Sequence, residues 1–150
     1  DMYDPKALRD IRDAAPMPVA SLESLNTVQD FLPFLRHHAA DIAIVDVPWN
    51  GFVQSVEIAS LAAVHETNVA PHNYYSHLAT FIAAHWSACV INLAMMETDV
   101  DSVPWRDDVV TNLPTIIDGH MQIPNAPGWG TDLDEKQIAR HSIPDAPPHI

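Results

Sequence analysis

The chain has 150 residues, 47% hydrophobic and 18% charged, a composition that supports a packed core and argues against general disorder. Seven Lys and Arg against 20 Asp and Glu leave a formal charge of -13, which repels phosphate backbones and anionic lipid, so neither nucleic acid nor a membrane surface is expected as a partner. No apolar run reaches the roughly 18 residues of a membrane span, and the single Cys89 excludes an internal disulfide framework and fits an expected cytoplasmic location.

In chain order, Asp4 followed by Pro5 supplies an N-cap and a residue pre-set for the first helical position, and predicts a helix near 5–14. Pro16 and Pro18 stop it, and Val19 to Leu22 reads as a buried strand near 18–23 that closes on Glu23. Thr27, with Asp30 three residues on, caps a second helix carrying Phe31, Leu32 and Leu35, with Pro33 in its first turns. The pattern then returns. Ile42 to Val45 predicts a strand near 42–46 closed by Asp46, followed by a loop from Pro48 to Gly51 and a helix near 52–66. A strand near 69–72 closes on His72, a helix near 77–89 follows, and a fourth strand near 91–97 closes on Glu97. Beyond it, Thr115 to Ile123 has the form of a hairpin around Asp118-Gly119. Pro124 to Gly130 reads as a loop, Leu133 to Arg140 as a short helix, and 142–150 as an extended proline-rich tail.

Glu23, Asp46, His72 and Glu97 stand 23, 26 and 25 residues apart, about one strand, one helix and two loops each. Apolar strands alternating with helices imply an α/β fold with four parallel strands, because a crossover helix is what returns the chain to begin a parallel neighbour. Ligands collect at the carboxyl ends of such strands, where each of these residues would stand. Singly, a strand-end carboxylate is more often a helix cap or half of an ion pair. Four in periodic positions would converge, and carboxylates so gathered repel unless a cation such as Mg2+ or a proton stabilises them. Asp46 and His72, on consecutive strands, would form a dyad in which the carboxylate orients the imidazole and leaves its second nitrogen free for proton transfer. His77 and His85 face one side of a helix and read as packing residues, Cys89 as a small core residue, and Trp49 and Trp105 as walls of a site or plugs of the core.

Ser21-Leu22-Glu23-Ser24-Leu25, Ile44-Val45-Asp46-Val47 with Gly51, Ala70-Pro71-His72-Asn73, Met96-Glu97, Pro104-Trp105-Arg106-Asp107-Asp108 and Asp118-Gly119 to Pro127-Gly128-Trp129-Gly130 resemble, in order and spacing, the carboxyl-terminal half of enolase-superfamily enzymes. The mandelate racemase and acid-sugar dehydratase subgroup is the most similar. This resemblance implies that residues 1–141 are half of a modified TIM barrel, (β/α)7β. It implies Glu23 as the last of three Mg2+-ligating carboxylates, His72 as the general acid/base with Asp46, and Glu97 as the carboxylate that hydrogen-bonds the substrate. Asn73 and Trp105 would sit near the substrate. The implied reaction is removal of the proton α to the carboxylate of a sugar acid, most of all in an aldonate dehydratase and alternatively in a racemase or epimerase. The family's first two metal carboxylates and its capping domain have no counterpart here, so the other half of the enzyme is an expected partner, along with self-association into a homo-oligomer. A second reading makes the chain an inert fragment or assembly piece. A flavodoxin-like binding domain would need a Gly-rich first loop, and glycines at 51, 119, 128 and 130 do not supply one.

Overall fold

The computed structural model describes residues 3–141, so the expected tail over 142–150 lies outside the described residues. Helix α1 (Pro5–Ala14) begins where Asp4 Oδ1 accepts the N–H groups of Lys6 and Ala7. Strand β1 (Ala20–Ser21) is followed by α2 (Val28–Arg36), capped by Thr27 Oγ1 on the Asp30 N–H, with Pro33 inside it. Strand β2 (Ile42–Asp46) runs directly into α3 (Val47–Asn50), a single turn where the sequence predicts a loop. Asp46 caps that turn by accepting the Trp49 N–H at 2.9 Å, and Gly51, at φ 76°, separates it from α4 (Phe52–Val64). Strand β3 (Asn68–His72), α5 (His77–Cys89), a 3-10 turn (Arg106–Val109), the hairpin β4 (Ile116–Ile117) and β5 (His120–Met121), and α6 (Glu135–Arg140) complete the order. Asp118 and Gly119 both take positive φ, the requirement of the tight hairpin turn their sequence announces.

The main sheet is parallel, in the order β1-β2-β3, with Asp46 paired to His72 in register. Two expectations need correction. The strand expected near 18–23 is two residues long, bounded by Pro18 and by Leu22 at φ 99°. The fourth strand expected near 91–97 is reduced to one parallel bridge, Val69 to Leu93, made by the Val69 N–H on Asn92 O and the Ala94 N–H on Val69 O. Alternate residues of β3 face that edge, and the next one is Pro71, which has no N–H to donate. The ladder stops there for want of a donor.

The core lies between the sheet and the helices, where Phe31, Leu35, Ala43, Val45, Ile58, Ala62, Val69 and Trp86 are enclosed. Each large side chain among them contributes about 1.5–3 kcal/mol by leaving water. Ile42 and Ile44 alternate with Ala43 and Val45 and are half-buried, so the opposite face of the sheet is less fully covered than parallel sheets normally are. Among the described residues no helix is long and apolar enough to cross a membrane.

Helix α1 is tied to the sheet by Asp41, whose Oδ1 accepts the Arg12 Nε–H at 2.8 Å while Oδ2 accepts the Val19 N–H at 2.8 Å. The Arg12 guanidinium first, and the Val19 amide second, hold the Asp41 carboxyl below its ordinary value. A depressed carboxylate lends stability that is present above its unfolded pKa, near 3.8, and is lost as pH falls through the folded value. Acid unfolding of Asp41→Asn should therefore show a shallower loss of stability below about pH 4 than the parent chain. Parallel acid limbs in the two proteins would contradict this account.

Candidate active site

Asp46 closes β2 and His72 closes β3, so their pairing in register sets the two side chains beside each other at the carboxyl end of the sheet. His72 Nδ1 donates to Asp46 Oδ2 at 2.8 Å, with the Asp46 side chain 1% exposed and that of His72 26% exposed. An ionised carboxylate only accepts, so the Nδ1 position holds a proton and Nε2 is the nitrogen left for proton transfer. Two further donors complete the carboxylate. The Trp49 N–H bonds Oδ1, and the Tyr75 hydroxyl donates to Oδ2 in a short hydrogen bond. The Tyr75 ring also meets the His72 ring edge-on, at 5.5 Å between centroids and 81° between planes. Burial, the hydrogen bond to Asp46 and the charges of Asp46 and Glu97 raise the phenol well above its ordinary pKa, so Tyr75 stays a donor. The sequence reading missed Tyr75. Its signal was a hydroxyl-bearing aromatic three residues beyond the strand-end His, where the chain turns over the sheet.

Glu97 is held by the same edge that Pro71 interrupts. The next edge-facing donor after Pro71 is the Asn73 N–H, and it bonds Glu97 Oε2 at 2.7 Å where a strand would offer a carbonyl. The Asn73 side chain donates to the Glu97 carbonyl at 3.0 Å and to Thr80 Oγ1 at 3.2 Å. Asn73 is fully enclosed, with its side-chain amide engaged by Glu97 and Thr80. Glu97 itself is exposed.

Glu23 follows Leu22, whose φ of 99° is rarely adopted by a branched side chain. The carboxylate is half-buried and makes no hydrogen bond or ion pair among the described residues. Among those residues no three His, Cys, Asp or Glu side chains gather as a metal site. Trp105 stacks on His141 at 4.6 Å and 9° and is partly exposed. His77 pairs with Asp107 at 2.6 Å, and His85 contacts the Trp129 carbonyl and ring. A cavity of about 620 Å³ between α5, residues 93–96 and the hairpin is lined by Ala84, Leu93, Met95 and Met121 among others, and by none of the four strand-end residues.

Residues 1–137 match the family of enolase C-terminal domain-like proteins. Among curated relatives, the D-xylonate dehydratase of Haloferax volcanii is 33% identical over 110 residues, covering 73% of this chain and 27% of that enzyme. A D-galactonate dehydratase family member of Oceanicola granulosus is 28% identical over 141 residues, covering 92% and 35%. A solved structure from Burkholderia xenovorans strain LB400, described as an L-alanine-DL-glutamate epimerase bound to magnesium and fumarate, superposes with a TM-score of 0.89 at 46% identity, covering 93% of this chain and 35% of that one. The chain thus spans about a third of the length of the relatives it matches. With that family match running over residues 1–137, the chain belongs to the enolase C-terminal domain-like family.

Proposed function

We propose that this chain is the carboxyl-terminal half of a (β/α)7β barrel, over residues 1–141, in an enzyme that removes the proton α to a carboxylate, and that its substrate is a sugar acid that it dehydrates. The observation that carries this is the His72–Asp46 hydrogen bond at the ends of adjacent parallel strands, with Nε2 left free on a partly exposed ring. His72 Nε2 takes the α-proton, the C–H electron pair passes toward the carboxylate as an enediolate, and the resulting imidazolium is an acid for the departing β-hydroxyl. Asp46 stabilises that imidazolium, and Tyr75 and Trp49 hold Asp46 in place. Glu97, exposed and anchored at Asn73, is the group assigned to the substrate's carboxylate end. The dehydratases among the relatives support this reaction. The half-covered sheet face at Ile42 and Ile44 supports a barrel completed by residues outside this chain.

Magnesium is assigned to the whole enzyme, with Glu23 as this chain's single ligand. The positive φ at Leu22 supports that assignment, since strained backbone collects where a ligand demands a particular side-chain direction. Calorimetric titration of magnesium into this chain should show no tight stoichiometric binding, because one carboxylate does not hold the ion. Tight one-to-one binding would overturn the view that further ligands come from elsewhere.

Epimerisation is the second reading, favoured by the 46% identical structure described as an epimerase. Incubating the enzyme with a panel of sugar acids and amino-acid-derived carboxylates in deuterium oxide separates the two. Dehydration gives a 2-keto acid and water, epimerisation gives a deuterated stereoisomer, and absence of α-proton exchange with every acid would sink the proposed function.

A further inference from the structure

The Trp105-Arg106-Asp107 motif has no part in the proton transfer described above, yet its central residue is a buried cation. Arg106 is 9% exposed. Its Nη1 donates to the Asp99 carbonyl at 2.6 Å and lies 3.7 Å from the enclosed Asp99 Oδ2, and its Nη2 donates to Thr80 Oγ1 at 3.4 Å. Thr80, on α5, in turn receives the Asn73 side-chain amide, and Asn73 holds Glu97 through two hydrogen bonds. The segment from Glu97 to Val100 has no regular secondary structure, so no ladder or helix fixes it. Side chains fix it at two points, Glu97 by Asn73 and Asp99 by Arg106, and Thr80 accepts a hydrogen bond from both Asn73 and Arg106. The flanking residues secure the cation: Asp107 pairs with His77 at the first position of α5, and Trp105 stacks on His141. Arg106 Nε remains buried without a partner, an arrangement that costs stability and so is poorly explained as a stabilising device alone.

We infer that Arg106 is a positioning residue that sets the Glu97 carboxylate through Thr80 and Asn73. This inference rests on the reading of Glu97 as a substrate-contacting group. Amide hydrogen exchange at Asn73 tests it in the full chain, because that N–H is bonded to the carboxylate in question. Arg106→Met should raise Asn73 exchange at least about tenfold while Ala43 and Val45 in β2 stay protected. Glu97→Ala should also raise it, and adding Arg106→Met to Glu97→Ala should change it no further, since both act on one hydrogen bond. Arg106→Lys, with the charge kept but the two-pronged fork lost, should restore part of the protection. Unchanged Asn73 exchange in Arg106→Met, or an additive effect on Glu97→Ala, would overturn the inference. If Arg106→Met exposes the β2 amides as well, Arg106→Lys is judged by the same two criteria. Failure of the proposed reaction shows separately, as undiminished α-proton exchange of substrate in Glu97→Ala, and leaves the amide result standing.

Discussion

Replacing His72 with Asn in the active enzyme is expected to slow exchange of the substrate's α-proton with solvent deuterium by about 10⁴-fold, the upper range for a positioned acid/base group. Asn occupies similar space and retains a donor that reaches Asp46, so the fold should survive; what it lacks is a basic nitrogen. His72 is well placed for the loss to be specific. The only hydrogen bond of its ring among the described residues is the one from Nδ1 to Asp46, so the ring is oriented from one side and left open on the other. Exchange measured by the disappearance of the α-proton resonance reads this step without depending on product release. A variant that exchanges at the parent rate would remove His72 from the chemistry and leave the pair with Asp46 a structural one.

Asp46→Asn should cost on the order of 10²–10⁴-fold in the same assay, by altering the imidazole without removing it. The site offers three donors to residue 46: the Trp49 N–H, His72 Nδ1–H and the Tyr75 hydroxyl. A carboxylate accepts all three. An Asn has one oxygen, and its amide group must face at least one of those donors, which favours the tautomer with the proton on Nε2 and so blocks the base. Tyr75→Phe removes one donor and leaves the His72–Asp46 bond, so its loss should be much smaller, about tenfold. Nitrogen chemical shifts of the His72 ring provide the independent check: the Nδ1–H tautomer should persist in Tyr75→Phe and decline in Asp46→Asn. If Asp46→Asn keeps both the tautomer and the rate, Asp46 is a cap for α3 and no more.

Much of this arrangement is legible along the chain. Asp4-Pro5 and Thr27 with Asp30 mark helix starts because caps are local chemistry, satisfied within three residues. The Asp118-Gly119 turn is equally local, since two adjacent positive φ angles suffice to specify it. Other features depend on partners distant in sequence. The fourth strand fails because Pro71, unremarkable within its own strand, withholds a hydrogen bond from a neighbour more than 20 residues on. Asn73, adjacent to His72, invites assignment as a substrate contact, and its complete enclosure shows only in three dimensions.

By itself the sequence determined the α/β alternation, the near-even placement of Glu23, Asp46, His72 and Glu97, and the resemblance to one family, because strand and helix lengths are imposed by hydrophobic period and local caps. The tertiary structure decided which of those residues are joined. Register between β2 and β3 made Asp46 and His72 a bonded pair, Tyr75 folded back onto the same oxygen, and the donor left over beyond Pro71 captured Glu97. Such partnerships are set by hydrogen-bond direction across strands and loops, which hydrophobic period and local caps do not specify.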